Sequence, residues 1–535
     1  MSGNENNLSI GDRQSGDVVS RSRETSLWRS IYFVCLVALS IAYFRSAIDV
    51  ADYKHLWMDE VLAVTAASQP TLAGVTTAIW AGTDFSPPLL HYLLHGLIYH
   101  TEVFGAPLVY RAPSILGVYL AAWLASLLVR RYLGTALALI SFALILGSGL
   151  FEFAVQARQY ALLSLDLAAA LFIWDGLRHT RFPGLGAVAL WITFAIGLCT
   201  HFYGFLPIVA VGICETLYFM TGGGVRWRIW LALILTIPVE IGLHPLAAHL
   251  ASFNAGDNRA SGYYAHPTVA ALTEVLWKVL LGGSAGTLVI AAAVLAAILI
   301  SMASHSSWLA GKLNALEDSA NPTPAADRLQ FEIVLVSLLL LPFVVFAFSL
   351  LVTGSFSYRY AVGATLFFGM AGAYLLDKLK CRRTVSLIMM PVLICILIGR
   401  GHAHDDVANV IASLKQIPAG LPIVVENGRD YIELMGASDS PAKGRLYFLA
   451  SPSGHVSPDP TNEHAATRMA SLDGDYKVVG AREFLSHHKD FYLLSTPEHG
   501  IQEGFVPWLF SDSITSQLLL SNPDTTVLRV SEVQK

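Results

Sequence analysis

The sequence predicts an α-helical polytopic membrane protein with about 11 transmembrane helices and a small C-terminal extracytoplasmic α/β domain. Three observations lead to this fold class. Of the 535 residues, 54% are hydrophobic and 14% charged, with a mean hydropathy of +0.55, which exceeds what a soluble core requires. The apolar residues form separate runs of about 17 to 23 residues, long enough to cross a hydrocarbon core. Alternate loops between these runs are rich in Arg and Lys, so the positive charge lies on one side of the membrane.

The apolar runs give the positions of the helices. Spans are predicted near 28–48, 109–129, 134–150, 160–176, 185–201, 203–220, 229–248, 285–303, 330–352, 359–376 and 384–400. Basic residues concentrate before the first span and in alternate later loops, as at Arg130 and Arg131. By the positive-inside rule these loops and the N-terminus are cytoplasmic. The other loops, and everything after about Gly401, then face the opposite side of the inner membrane.

Composition divides the chain into three regions. Residues 1–26 are polar, lack a signal-peptide pattern and are predicted to be a disordered cytoplasmic tail. Residues 27–400 form the transmembrane domain, with a first extracytoplasmic loop at 49–108. Residues 401–535 alternate short strand-like runs with Pro, Gly, Ser and Asp, which indicates an extracytoplasmic α/β domain. The five cysteines fall in or beside spans, so no disulfide framework is expected.

The first outer loop carries adjacent carboxylates in the sequence "WMDEV". On a helix Asp59 and Glu60 point about 100° apart, so one can act on a substrate while the other braces it. Trp57 and Met58 desolvate the pair, and a desolvated carboxylate is a better general base. Ordinary solvated loop acids are the alternative interpretation. The same loop holds Asp84 and the amphipathic run "LLHYLLHGLIYH", which contains His91 and is predicted to lie flat at the membrane surface.

Two arginines lie at the outer ends of predicted transmembrane helices, next to tyrosines. "VQARQY" contains Arg158 and Tyr160, and "SYRY" contains Arg359 and Tyr360. The planar fork of arginine suits a phosphate, so these positions suggest a site for an anionic group. An arginine that snorkels to the interface is the alternative for Arg158.

Further polar residues lie at the same predicted face. His201 and Tyr203 occur in "THFYG", between two spans. Glu240 and His244 lie near the outer end of the seventh span, where a charged Glu240 is expected to face the interior of the helix bundle. A packing hydrogen bond between helices is the alternative to a functional role for this last pair.

Several stretches, in order and spacing, resemble the C-type (GT-C) membrane glycosyltransferases. They are "LWMDEVLAVTAAS", "DFSPPLLHYLLH", "YRAPSILGVYLAAWLASLLVRRYLG", "EFAVQARQYALLSLDLAAALFIW" and "THFYGFL". The bacterial relatives of protein O-mannosyltransferases and aminoarabinose transferases are the most similar group. The resemblance covers about the first 220 residues, and "SYRYAVGATLFFGMAGAYLL" continues it.

The resemblance implies roles for individual residues. In that family an acidic residue of the first outer loop is required for catalysis, and the sugar arrives on a polyprenyl phosphate. Asp59 is then the catalytic base with Glu60 as its catalytic neighbour, and Arg158 and Arg359 contact the lipid phosphate. Substrate-binding roles are expected for Asp84, His91, Tyr160, His201, Tyr203 and Tyr360. Ser86 stands where the family commonly has a histidine, so the resemblance fixes no cofactor, and a divalent metal held by outer-loop carboxylates stays open.

The implied reaction is an inverting transfer of a sugar from a polyprenyl-phosphate donor to an envelope lipid, glycan or protein. The expected partners are this donor, one of these acceptors and the lipid bilayer, with no nucleic acid. The sugar and the acceptor stay open. A transporter or flippase of lipid-linked sugars is the alternative, and an envelope assembly protein is a third class. The C-terminal domain could cover the site, select acceptors or contact a partner.

Overall fold

The computed structural model describes residues 8–98, 100–101, 105–254, 265–284, 286, 325–378, 382–401, 405–451, 460–496 and 514–532. The predicted span near 285–303, except residue 286, and most of the outer loop "NAGDNRASGYYAHP" lie outside these residues. The described part combines a helical membrane region with a C-terminal α/β region, which confirms the predicted fold class.

The membrane region consists of helices joined by short loops. Its helices are α1 (Leu8–Tyr53), α2 (Met58–Ala67), α3 (Leu72–Trp80), α4 (Leu89–Ile98), α5 (Ala106–Leu133), α6 (Thr135–Gly147), α7 (Leu150–Ala154), α8 (Tyr160–Gly176), α9 (Pro183–Thr200), α10 (Leu206–Met220), α11 (Trp227–Ile234), α12 (Ile237–Asn254), α13 (Val269–Leu280), α14 (Ala325–Phe348), α15 (Leu366–Lys378) and α16 (Arg382–Gly399). Two 3₁₀ segments, Phe202–Phe205 and Tyr358–Thr365, lead into α10 and α15.

Seven helical segments of the described residues are long and apolar enough to cross a membrane. They are Ser30–Tyr53, Ala106–Leu133, Pro183–Thr200, Phe202–Met220, Trp227–Phe253, Arg328–Thr353 and Tyr358–Lys378. Each coincides with a span predicted from the sequence. Three further predicted spans coincide with α6, α8 and α16, which are helices of 13, 17 and 18 residues. The chain is therefore a multi-pass membrane protein.

The first helix extends further back than the sequence suggests. α1 begins at Leu8, inside the segment predicted to be a disordered tail. This polar stretch contains no proline, so its backbone donors are all available for the helix to continue beyond the apolar part.

The C-terminal region is an α/β fold around one sheet. Its elements are α17 (Asp406–Leu414), β1 (Ile423–Val425), α18 (Gly428–Gly436), β2 (Leu446–Ala450), α19 (Pro460–Leu472), β3 (Val478–Gly480), α20 (Ala481–His487), β4 (Asp490–Ser495), β5 (Ile514–Ser521) and β6 (Thr526–Glu532). The strand order is β3-β2-β1-β4-β6-β5. The first four strands are parallel, and β6 and β5 complete the sheet antiparallel. Hydrophobic runs such as Ile423–Val425 are fully buried because helices cover the parallel strands.

The C-terminal domain packs directly on α2 of the first loop. Val61 and Leu62 of α2 belong to the same buried cluster as Ile432 and Met435 of α18. The face of the membrane region that carries α2 therefore also carries the C-terminal domain.

Candidate active site

The carboxylates of "WMDEV" lie in the first turn of α2. Acidic groups are favourable there because the helix dipole places partial positive charge at the N-terminus. Glu60 is completely buried, whereas the Asp59 side chain keeps 18% of its surface exposed. The two neighbours therefore occupy different environments, as their angular separation on a helix requires.

Glu60 is enclosed in a buried ion pair with Arg111 of α5. Arg111 Nε donates to Oε1 and Nη2 to Oε2, both at 2.8 Å. The Ala157 backbone N–H also donates to Oε1 at 2.6 Å, and the Trp57 N–H to Oε2 at 3.2 Å. Arg111 further binds the backbone carbonyls of Ala51, Lys54 and His55. Both oxygens of Glu60 are thus engaged, and the residue ties α2 to the membrane helices.

Asp59 faces two arginines from distant parts of the chain. Arg359 Nη1 donates to Asp59 Oδ2 at 3.0 Å, and the Arg158 Nη2 atom lies 3.9 Å from the same oxygen. Arg158 Nη1 also binds the Asp59 backbone carbonyl at 3.0 Å. The Arg359 guanidinium lies 5.7 Å from the Trp57 ring centroid, within cation–π range. The fold therefore brings together Asp59, Arg158 and Arg359, although Arg158 is 99 and Arg359 is 300 residues from Asp59 in the sequence.

Behind Asp59, Arg158 is held by a second carboxylate. Its Nη1 donates to Asp84 Oδ2 at 2.9 Å, and His91 Nε2 lies 2.9 Å from the same oxygen. Burial opposes ionisation of Asp84, but Arg158 and His91 outweigh it and hold its pKa below the usual value. Burial disfavours the charged form of Arg158, yet Asp84 and Asp59 raise its pKa. Arg158 is only 5% exposed, so its guanidinium interacts with the carboxylates inside the site and hardly with solvent.

Asp84 and Asp59 are not arranged to share a divalent metal ion. Asp84 Oδ2 already meets Arg158, His91 and the Ser86 hydroxyl at 3.1 Å, and Asp84 Oδ1 accepts the Phe85 N–H at 2.8 Å. Arg158 also stands between Asp84 and Asp59, where a bridging cation would have to lie. Among the described residues, no three His, Cys, Asp or Glu side chains gather as a metal site.

Aromatic rings pack beside this charged cluster. The His201 ring lies 5.3 Å from the Tyr160 ring and 5.6 Å from the Tyr203 ring, measured between centroids. Tyr203 stacks on Tyr360 at 4.7 Å with an interplanar angle of 9°. Burial, reinforced by Arg158, lowers the pKa of His201 to about 3, so its imidazole is neutral and accepts the Tyr203 N–H at Nδ1. The aromatic residues predicted at this face thus form one continuous row.

A cavity of about 250 Å³ opens between the membrane region and the C-terminal domain. The membrane side contributes Lys54, His55, Trp57, Phe153, Gln156, Tyr160, Tyr358 and Arg359, and the C-terminal side contributes Asp405, Asp406, Val407, Arg429 and Glu433. Of the predicted site residues, Arg359 and Tyr160 line the cavity. Asp59 does not line the cavity itself but is bound to Arg359, which does. The lining also does not include Arg158, Asp84, His91, His201, Tyr203 or Tyr360.

A second cavity of about 210 Å³ adjoins the first across Phe153 and Tyr358, which line both. It contains two cations, Lys278 at the end of α13 and Arg400 after α16. The Arg400 guanidinium binds the carbonyls of residues 147 and 148, and its carboxylate neighbour, Glu152, is 3.8 Å away. Glu152 lines the same cavity, and Glu274 binds Lys278 at 2.7 Å, so both cations have a carboxylate partner.

Some residues of this site escaped the sequence analysis. Arg111 carried a usable signal, because an arginine just inside a predicted span must have a buried partner. Glu433 and Arg429 carried none, since "VENGRDYIE" resembles any polar helix. The sequence also placed Glu240 in the bundle interior, which is wrong: Glu240 is exposed on α12. α12 lies against α3 and α9 at the side of the bundle, so this residue need not turn inward.

Comparison with known proteins gives a likeness in structure only. No family model and no curated protein sequence matches the chain. Among solved structures, ArnT from Cupriavidus metallidurans in the apo state superposes with a TM-score of 0.53 at 12% identity, covering 95% of this chain and 98% of that one. The same protein bound to undecaprenyl phosphate gives 0.50 at 13% identity, covering 94% and 98%. An oligosaccharyltransferase from Archaeoglobus fulgidus gives a TM-score of 0.43 at 13% identity, covering 91% of this chain and 72% of that one.

The ArnT superposition includes both the membrane helices and the C-terminal α/β domain, since it extends over nearly the whole of each chain. It agrees with the resemblance found in the sequence motifs. The chain therefore has the fold of ArnT, a C-type membrane glycosyltransferase.

Proposed function

We propose that the protein is a membrane glycosyltransferase that moves a sugar from a polyprenyl-phosphate donor to an envelope lipid, glycan or protein. The observation that carries this proposal is the pairing of Asp59 with Arg359 at the wall of a cavity on the loop-bearing face of a GT-C fold. In this pair, Asp59 is the base that deprotonates the acceptor, and Arg359 is the cation that stabilises the leaving phosphate. The sided charge pattern of the loops assigns this face to the extracytoplasmic side of the inner membrane.

The reaction follows from these two side chains. The acceptor hydroxyl oxygen attacks the anomeric carbon and its proton passes to Asp59, which acts as general base. The bond between the anomeric carbon and the phosphate oxygen breaks, and its electron pair stays with the lipid phosphate. Arg359 stabilises the charge that develops on this leaving group. Attack from the side opposite the phosphate inverts the anomeric centre.

Arg359 and Arg158 have different parts in this scheme. Arg359 lines the cavity and its side chain is 19% exposed, so a phosphate can reach it. Arg158 is enclosed by Asp84 and the Asp59 carbonyl, so it positions Asp59 instead of meeting the phosphate directly. When the phosphate engages Arg359, it competes with Asp59 for the same guanidinium. Donor binding thereby releases the carboxylate that the acceptor requires.

The ArnT structure with undecaprenyl phosphate supports a polyprenyl phosphate as the donor lipid. Glu60, closed in its pair with Arg111, is the bracing partner of Asp59.

Mass spectrometry of envelope glycolipids and glycoproteins tests the proposal. We compare cells that carry the wild type, a deletion, Asp59→Asn or Asp475→Asn at matched protein levels. Asp475 is an exposed aspartate of the C-terminal domain and is the matched control. A sugar that is lost in the deletion, restored by Asp475→Asn and not restored by Asp59→Asn supports the transfer reaction. Restoration by Asp59→Asn would overturn it and favour the transporter.

A further inference from the structure

The helix that carries Asp59 is capped by a residue of the C-terminal domain. The Met58 N–H, the first of α2, donates to Glu433 Oε1 at 2.9 Å. The first N–H groups of a helix have no partner within it, and Trp57 at the N-cap position has no side-chain acceptor to offer. Glu433 therefore supplies a cap that the local sequence lacks.

Glu433 is itself fixed in place. It is 5% exposed, and Arg429, one turn earlier on α18, donates from Nε to Oε1 at 2.9 Å. Both residues line the cavity beside Arg359. The cap thus joins the wall of the cavity to the backbone next to Asp59.

Other contacts hold the same helix against the domain. Gly436 lies so close to α2 that an added Cβ would be 2.5 Å from Val61 Cγ2. Before α2, the His55 backbone N–H donates to Asp405 Oδ2 at 3.0 Å, which fixes the entry to the helix. Because both sides of Met58 are anchored, the direction of α2 depends on the domain.

The domain also reaches the segment that carries Asp84. The Arg468 guanidinium of α19 lies 5.1 Å from the Phe85 ring centroid and 5.5 Å from that of Phe253. Phe85 follows Asp84 directly and donates its N–H to that carboxylate. The two chain segments that supply carboxylates to the site are therefore both in contact with the C-terminal domain.

We propose that the C-terminal domain positions the base of the active site, and that Glu433 is the positioning residue, acting through the Met58 backbone on the direction of Asp59. This inference rests on the proposed transferase function. Asp59 is the next residue after Met58, and its bond to Arg359 is only 3.0 Å long, so a small rotation of the first turn moves the carboxylate out of place. A displacement of about 1 Å is enough to reduce turnover by up to a hundredfold.

The test separates positioning from stability in the full-length protein. We measure transfer from the undecaprenyl-phosphate-linked sugar that the envelope comparison identifies, for wild type, Glu433→Ala, Glu433→Gln and Glu463→Ala. The last is the control, because Glu463 accepts its hydrogen bonds from Ser451 inside the same domain. Hydrogen exchange of the peptide that contains Met58 reports the state of the cap without any substrate.

Glu433→Ala is expected to lower kcat roughly tenfold or more, to leave the donor KM within about twofold and to speed exchange at Met58. Glu433→Gln keeps the Oε1 acceptor and recovers most of kcat. Wild-type kcat in Glu433→Ala, or an equal loss in Glu463→Ala, would overturn the positioning role. If the wild type itself transfers no sugar, the proposed function fails instead, so the two failures are distinguishable.

Discussion

Arg359 binds the carboxylate of Asp59 at 3.0 Å across 300 residues of sequence, and only the arginine lines the cavity. The pair explains how a carboxylate and an anion site coexist side by side at the wall of the cavity. Each neutralises the other until a substrate separates them. The consequences can be tested one residue at a time.

Substitutions of the two adjacent acids are expected to differ in kind. Asp59→Asn removes the base and should abolish turnover while preserving the unfolding temperature. Glu60→Gln leaves the buried Arg111 charge without its carboxylate, which costs about 3–5 kcal/mol of folding free energy, but the molecules that remain folded keep their base. Thermal unfolding and turnover per folded molecule check this. Loss of turnover in folded Glu60→Gln would make Glu60 the base.

Substitutions of Arg359 and Arg158 are also expected to have different effects. Arg359→Ala should weaken binding of undecaprenyl phosphate about tenfold or more, because the accessible guanidinium is lost. Arg158→Ala should mainly lower the unfolding temperature, since it leaves the buried Asp84 without its main counter-charge. Titration of the purified protein with undecaprenyl phosphate measures the first effect, and Lys378→Ala is the control. The assignment fails if Arg158→Ala weakens binding more than Arg359→Ala in folded protein.

The close approach of the domain to α2 predicts a steric effect. Gly436→Ala places a methyl group against Val61 and should destabilise the docked domain by about 1–3 kcal/mol. Gly474→Ala is the control, because nothing lies within 4 Å of its added Cβ. Limited proteolysis between the membrane helices and the domain measures the difference. Equal cleavage of the two variants would argue against tight packing at Gly436.

Docking should also depend on pH through His55. Its ring contacts Asp405 and Asp439 at 2.8 Å each, and the bond to Asp405, against the opposing effect of burial, raises its pKa above 6.5. A group whose pKa is higher in the folded state stabilises the fold at pH values below its unfolded-state pKa. This stabilisation is lost as the pH rises through the folded-state pKa. The unfolding temperature should therefore fall more between about pH 6 and pH 9 in the wild type than in His55→Gln. Substitution of the exposed His487 should leave the wild-type slope, and an unchanged slope in His55→Gln would refute the link.

The sequence was informative where a side chain conflicts with its surroundings. Carboxylates and arginines at the ends of apolar helices are costly unless they serve each other or a ligand, and this pointed to Asp59 and Arg359. It could not show that Arg158 is enclosed by Asp84, because the first loop folds back on itself through His91. Nor could it find Glu433, since a cap supplied by another domain leaves no local pattern. Helix positions followed from hydropathy, which depends on composition alone.

The cap on α2 has a consequence for biosynthesis. Met58 and Glu433 are separated by 375 residues, which take roughly 20–75 seconds to synthesise at ordinary translation rates. During that interval the nascent chain already contains Asp59, but the Met58 N–H lacks the acceptor that Glu433 supplies. A ribosome that stops before Glu433 therefore leaves the first N–H of α2 without this cap.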